Sequence, residues 1–283
     1  MISRRDFTKL ALVGTLGASH DAFAAVAPRL SKRGCCFTAK STDAAWVRRI
    51  ESLNPAWLYS WGSQRPEKLP KGVEFTPMIW GNSENERFSQ TIADLRKRAE
   101  LGELQYLLGF NEPDQQKQSN MTVERVLELW PGLMEVGVPL VSPGCVHPDR
   151  EWMNDFMEQV DQGGLRVDAI SVHSYMGPSV EHLVRRLEAV HQRFGRPLWI
   201  TEFAVGDWQA TTRAQNRHSP QRIASFMREL LPTLDTLDYI HRYAWFSAAP
   251  DNGPLGTSAL IGETGALTEL GRIYANHPRR PSR

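Results

Sequence analysis

The chain has 283 residues and carries 33 Lys and Arg against 32 Asp and Glu, a formal net charge of +1. A chain of this length buries enough apolar surface to fold without disulfide or metal staples. Its interleaved charges leave no basic stripe for nucleic acid and no polybasic tract for an anionic membrane. The first residues read Ser3-Arg4-Arg5-Asp6-Phe7-Thr8-Lys9-Leu10, followed by an apolar stretch over 10–18 and then Ala22-Phe23-Ala24. A charged start, a short apolar run and a small-x-small cleavage site describe an export signal. The apolar run is too short to span a bilayer. Adjacent arginines followed by Phe and Lys have the pattern of a twin-arginine signal, with an ordinary secretory signal as the alternative. Residues 1–24 are therefore expected to be a removable leader, and the mature chain is expected outside the cytoplasm, periplasmic or secreted.

Eight apolar or aromatic segments with strand character follow, near 34–37, 56–61, 74–80, 104–111, 138–143, 167–175, 197–203 and 239–247. Amphipathic helical stretches separate them, at 42–54, 89–102, 122–135, 180–194 and 220–234. Thr122 is a plausible N-cap, as are Asp43, Asp114 and Asp168. The later strands are nearly continuous in apolar character, as in a parallel sheet covered by helices on both faces. Eight alternating units, with no Gly-rich phosphate loop after the first strand, favour an α/β (β/α)8 TIM barrel over a doubly wound sheet. A single barrel domain is expected over 25–276, with a loop over 206–219 and a basic, Pro-containing tail at 277–283 expected to fray. Cys35 and Cys36 are neighbours that point to opposite faces of a strand and cannot easily bridge each other. One of them could pair with Cys145 in an oxidising compartment, with buried free thiols as the preferred reading, and no CxxC or His/Cys spacing suggests a metal.

Active sites of such barrels lie at the C-terminal ends of the strands. The second and third segments end in Trp61 and Trp80, and the fourth in Asn111-Glu112-Pro113-Asp114. The sixth ends in His173-Ser174-Tyr175, the seventh in Glu202-Phe203 and the eighth in Trp245-Phe246-Ser247. Glu112 and Glu202 each follow a very apolar strand, where a carboxylate is costly unless it has a partner or a task. Two carboxylates across a sugar are what glycoside hydrolysis requires: one protonates the leaving oxygen, and the other attacks the anomeric carbon or activates water. The nine Trp supply candidate platforms for the apolar faces of sugar rings.

This layout resembles the clan of retaining (β/α)8 glycosidases. More narrowly it resembles glycoside hydrolase family 128, the "glycosyl hydrolase catalytic core" β-1,3-glucanases. The matching stretches are Phe75-Thr76-Pro77-Met78-Ile79-Trp80-Gly81, Leu108-Gly109-Phe110-Asn111-Glu112-Pro113-Asp114, Val172-His173-Ser174-Tyr175, Trp199-Ile200-Thr201-Glu202-Phe203, Tyr243-Ala244-Trp245-Phe246 and Leu267-Thr268-Glu269-Leu270-Gly271. The resemblance implies Glu112 as acid/base and Glu202 as nucleophile, about 5–5.5 Å apart. It implies that Asn111 holds the 2-hydroxyl of the reacting sugar, that Tyr175 orients the nucleophile, and that His173 contacts the acid/base or a sugar hydroxyl. Trp61, Trp80 and Trp245 would be stacking platforms, and Trp208 an outer one. The implied activity is an endo-β-1,3-glucanase acting on β-glucan as a monomer, without cofactor or metal. Ser174, where the family often has an aromatic residue, and Ser60, in place of an expected Asn, depart from the pattern and bear on substrate preference. Two alternatives stand beside it: a non-catalytic glycan-binding protein on a glycosidase barrel, which would keep the stacking residues but lack a catalytic carboxylate, and a transglycosylase, which uses the same two carboxylates but in which a sugar intercepts the covalent intermediate.

Overall fold

The computed structural model describes residues 31–39 and 42–279; the expected leader, 1–24, lies outside them. Strand β1 (Arg33–Cys36) leads into helix α1 (Ala44–Leu53), where Asp43 caps the helix by accepting from Trp46 N at 2.8 Å. The chain then alternates through β2 (Trp57–Tyr59), β3 (Glu74–Phe75), α2 (Asn85–Glu100), β4 (Leu107–Leu108), α3 (Val123–Glu135), β5 (Leu140–Val141) and α4 (Glu151–Gln162). It continues through β6 (Ile170–Met176), α5 (Val180–Phe194), β7 (Leu198–Val205), α6 (Pro220–Thr236), β8 (Ile240–Phe246) and α7 (Glu269–Asn276). Thr122 caps α3 as its sequence position suggests. Helix α4 was not among the expected helices, although Met153, Phe156, Met157 and Val160 recur at the i, i+3, i+4, i+7 spacing of one buried face.

All strand pairs are parallel. Six strands form one sheet in the order β3-β2-β1-β8-β7-β6, and β4 pairs β5 in a second. The strands are shorter than their apolar runs, because the ladders between the two sheets thin to single bridges. Met78 meets Leu108 between β3 and β4, and Val141 meets Ala169 at the entry to β6. Hydrogen bonds support both junctions: Leu108 N to Pro77 O at 3.0 Å, and Ser142 N to Ala169 O at 2.8 Å. The described residues thus form one α/β domain with seven α-helices and eight strands in two parallel sheets.

Two apolar clusters follow from the period-2 alternation of strand side chains. Cys35, Leu58, Ile200, Phe203 and Trp245 face the helices and join the larger core. Cys36, Trp57, Tyr59, Met78, Leu108, Val141, Ala169, Trp199 and Ala244 face one another on the opposite side of the strands. Beneath this inner cluster, at the N-terminal ends of the strands, lies buried Arg242. Its guanidinium stacks over Trp199 at 4.4 Å and Tyr106 at 4.8 Å, and it pairs with both oxygens of Glu74 at 3.0 and 2.9 Å. All three cysteines are buried free thiols. No helix among the described residues is long and apolar enough to cross a membrane. Of the tail expected to fray, His277 pairs with Asp235 at 2.8 Å and Arg279 donates to Asn54 O at 3.0 Å.

Candidate active site

The loop after β4 and the middle of β6 and β7 bring Glu112, His173 and Glu202 together; the sequence reading places His173 and Glu202 at strand ends, but β6 runs on to Met176 and β7 to Val205. One ligating atom from each lies within 4.8 Å of the others, and all three residues are buried. His173 Nδ1 is 2.8 Å from Glu112 Oε1, and its Nε2 is 3.7 Å from Glu202 Oε1. The ring fits against the end of β5 because residue 144 is glycine; a Cβ there would lie 2.6 Å from His173 Nε2. Glu112 has a φ of 44°, in the left-handed region that a Glu rarely adopts. Its N–H is engaged by Gly144 O at 2.7 Å, so the turn is held by the neighbouring strand end. A backbone strain of about 1–3 kcal/mol at such a residue is a recurrent mark of functional sites. Trp61, with a φ of 56°, shares the feature.

Glu202 is surrounded by donors. Its Oε1 accepts from Tyr59 Oη at 2.9 Å and from Trp61 Nε1 at 2.7 Å, and its Oε2 accepts a short hydrogen bond from the Tyr175 hydroxyl. Burial and then the adjacent Glu202 charge push the Tyr59 and Tyr175 phenols, and the Cys36 thiol, well above their ordinary pKa values. These groups therefore stay protonated, and the two phenols remain hydrogen-bond donors to the Glu202 carboxyl. Each hydrogen bond to a charged group is worth about 1.5–3 kcal/mol. Tyr175→Phe is accordingly expected to lower kcat about tenfold to a hundredfold with little change in KM. Steady-state kinetics check this, and an unchanged kcat would contradict it.

His173 is pulled both ways. Full burial pushes its pKa down, but the Glu202 charge and the hydrogen bond and charge of Glu112 overcome this and raise it. The ring is expected to titrate above about 6.5, the value of a free imidazole. The stability it contributes is then complete below that value and is lost as pH rises through the raised folded value. Ring-proton NMR checks this: the wild-type midpoint lies above about 6.5, and Glu202→Gln moves it down. A wild-type midpoint at or below that value would contradict the assignment. The Glu–His–Glu trio is compact enough to be considered as a metal site, but both Glu202 oxygens already face N–H and O–H donors, and Glu112 Oε1 is taken by the ring. The donor set suits proton transfer better than ligation.

A cleft of about 1750 Å³ opens over this trio and is lined by Asn111, Trp61, Trp80, Tyr175 and Trp208 among others. Asn111 is buried, donates from Nδ2 to Gln118 at 3.4 Å, and keeps an unpartnered Oδ1. Trp80 and Trp208 are 42% and 63% exposed, unusual for so large an apolar side chain. Trp208 donates its indole N–H to Tyr175 O at 3.3 Å, which fixes its ring on the rim. Trp61 lies in the cleft, but its N–H is spent on Glu202 rather than left for a ligand.

Trp245 corrects the sequence reading. It is fully buried, packs on Phe203 with ring centroids 5.0 Å apart, and donates to Ser258 O at 2.9 Å, so it is no sugar platform. Along β8 alternate side chains change face, and Ala244 and Phe246 point inward instead. Phe246 lines the cleft, 5.7 Å from the Trp61 ring and 5.4 Å from the Tyr175 ring. Asp114 and Asp168 also differ from the expected helix caps. Asp114 accepts from Val146 N and His147 N at 3.0 and 2.9 Å, tying the loop after β5 to the loop that carries Glu112. Asp168 accepts from Leu140 N at 2.7 Å. Tyr59 is the functional residue that sequence reasoning missed. Its signal was the two-residue spacing to Trp61, which puts both side chains on the inner face.

The family profile described as "Glycosyl hydrolase catalytic core" matches residues 34–274. The chain belongs to the glycosyl hydrolase catalytic core family. Among curated proteins it is similar to the Alkali-sensitive linkage protein 1 of Schizosaccharomyces pombe, 27% identical over 252 residues. That match covers 86% of this chain but only 44% of the relative, so the chain spans less than half the length of that protein. Among solved structures, a glycoside hydrolase family 128 (subgroup I) endo-β-1,3-glucanase from Amycolatopsis mediterranei, in complex with laminarihexaose, is 31% identical with a TM-score of 0.73. The match covers 87% of this chain and 98% of that one. A subgroup II endo-β-1,3-glucanase from Sorangium cellulosum is 28% identical with a TM-score of 0.69, covering 88% and 99% of the two chains. Within the glycosyl hydrolase catalytic core family, this member thus joins homology to endo-β-1,3-glucanases to a buried Glu–His–Glu cluster whose two glutamates line the cleft.

Proposed function

We propose that the chain is a retaining endo-β-1,3-glucanase. The observation that carries this reading is the spacing of Glu112 and Glu202, whose carboxylates approach within 4.8 Å. Retaining glycosidases hold their carboxyl groups about 5–5.5 Å apart, whereas inverting enzymes leave about 6.5–9.5 Å for a water. In this mechanism Glu202 attacks the anomeric carbon while Glu112 delivers a proton to the departing glycosidic oxygen. The C–O bond to the leaving sugar breaks and a glycosyl ester to Glu202 forms. Water then attacks the anomeric carbon of that ester, Glu112 takes a proton from the water, the C–O bond to Glu202 breaks, and Glu202 leaves as a carboxylate. The three donors on Glu202 hold its orientation, and His173 holds that of Glu112. The free Oδ1 of Asn111 suits a sugar hydroxyl, and Trp80 and Trp208 suit stacking on sugar faces.

The eight parallel strands, with single bridges joining the two sheets, support a closed (β/α)8 barrel. The Arg-Arg leader pattern supports export to the periplasm or the medium, where polymeric glucan is met. The test of the substrate assignment is digestion of laminarin beside β-1,4- and mixed-linkage glucans, with product lengths followed by chromatography. Internal cleavage confined to β-1,3 bonds supports the proposal, and preferential cleavage of another linkage contradicts it.

A further inference from the structure

The cleft is lopsided in charge, although the chain as a whole is nearly neutral. Five Lys or Arg side chains line it against three carboxylates, of which two are Glu112 and Glu202. The third, Asp149, is paired with Arg186 at 3.2 Å, and Arg186 is further occupied by His173 O and Val146 O. Four cations remain: Arg87, Lys117, Arg150 and Arg185. Among the described residues no hydrogen bond or ion pair holds the Arg87, Lys117 or Arg150 side chain. Arg185 meets Glu181 at 3.4 Å in an exposed i,i+4 pair, which water and salt weaken.

These cations do not belong to one solvated helix face. Lys117 lies in the loop after Glu112, Arg150 just before α4 and Arg185 on α5. Asp114 ties the first of these segments to the loop after β5 through Val146 N and His147 N, and Arg186 and Arg193 tie α5 to the same loop through Val146 O and Asp149. The rest of the lining includes the uncharged Thr38, Ala39, Trp208, Phe246 and Leu255, with Arg87 on α2 as a further cation. Lys and Arg can donate to the hydroxyls of a neutral glucan, but an excess of unpaired cations also attracts anionic groups. A cleft lined by one sign of charge concentrates ligands of the other.

We propose that the wall formed by Lys117, Arg150 and Arg185 binds acidic substituents, carboxylate or phosphate, on the polysaccharide, so that the preferred substrate is an anionic β-glucan. This rests on the glycan-cleaving reading of the cleft and adds to it the chemical class of the substrate. The test compares carboxymethylated and phosphorylated β-1,3-gluco-oligosaccharides with neutral ones of equal length. Wild type is set beside the triple variant Lys117→Gln, Arg150→Gln, Arg185→Gln, with unfolding curves to show that the variant is folded.

The wild type is expected to cleave a charged substrate with a kcat/KM about tenfold higher at low ionic strength. The preference is expected to fall towards parity at about 0.5 M salt and in the triple variant. A carboxylate-only or phosphate-only preference supports the proposal and identifies the substituent. Cleavage of neutral and charged substrates at equal rates, or slower cleavage of both charged ones, overturns it and leaves the hydrolase reading standing. If no substrate is cleaved, the hydrolase reading falls, and affinity decides: tighter binding of a charged oligosaccharide, lost in the triple variant, upholds the anionic wall, and equal binding overturns it.

Discussion

Glu202→Gln is expected to lower kcat/KM by roughly 10⁴–10⁶-fold while the protein remains folded, because an amide oxygen cannot form the glycosyl ester. The replacement is close in shape, and the change acts on chemistry more than on packing. It does alter the local balance: Tyr59, Trp61 and Tyr175 all donate to Glu202, and a Gln offers one acceptor oxygen instead of two. One phenol must therefore turn or lose its partner. Glu112→Gln is expected to be milder, roughly 10²–10⁴-fold, because proton delivery to the leaving oxygen contributes about that factor. Its deficit should shrink on aryl β-glucosides, whose leaving groups depart without a proton. Parallel kinetics on gluco-oligosaccharides and aryl glycosides separate the two roles. Glu202→Gln retaining activity within tenfold of wild type would remove it from the chemistry.

Glu74→Ala is expected to destabilise the fold by about 3–5 kcal/mol, because it strands the buried Arg242 guanidinium. For a domain of this size that is a fall in Tm of roughly 6–20 °C. The aromatic faces of Trp199, Tyr106 and Trp57 around Arg242 supply cation–π attraction but accept no conventional hydrogen bonds. The Glu74 carboxylate supplies two, and Thr76 Oγ1 a longer third at 3.3 Å. Removing both charges together is a different experiment. Glu74→Leu with Arg242→Met replaces a desolvated ion pair by apolar groups and is expected to match or exceed wild-type stability. Urea unfolding of the single and double variants measures the contrast. Single-variant stability within 1 kcal/mol of wild type would show that water reaches Arg242.

The contrast between this floor and the cleft above it explains what the sequence made legible. Glu112 and Glu202 stood out because a carboxylate at the end of a fully apolar strand needs a reason, and two such residues marked one site. The Thr122 and Asp43 caps were legible because capping is local. Trp245 was misassigned because composition marks an aromatic residue but only the strand alternation marks its face, and Ala244 and Phe246 held that signal. Tyr59 went unnoticed because its partner, Glu202, is 143 residues away. The converse holds for Asp114, whose acceptor role towards Val146 and His147 depends on a neighbouring strand end and not on its own turn. The strand limits were overestimated where the two sheets touch through single bridges, since apolar runs record burial and not ladder hydrogen bonds. The cationic wall was invisible for the same reason as Tyr59: Lys117, Arg150 and Arg185 come from separate segments, and the overall charge of +1 conceals their convergence.

The central claim is that Glu112 and Glu202 perform a double displacement. Proton NMR of the anomeric signals, recorded in the first minutes of hydrolysis of a β-1,3-gluco-oligosaccharide by the purified protein, tests it most directly. Initial release of the β-anomer, with the α-anomer growing in only as the product mutarotates, is the result predicted by the short separation of the two carboxylates. Initial release of the α-anomer would mean inversion by a bound water and would contradict the account.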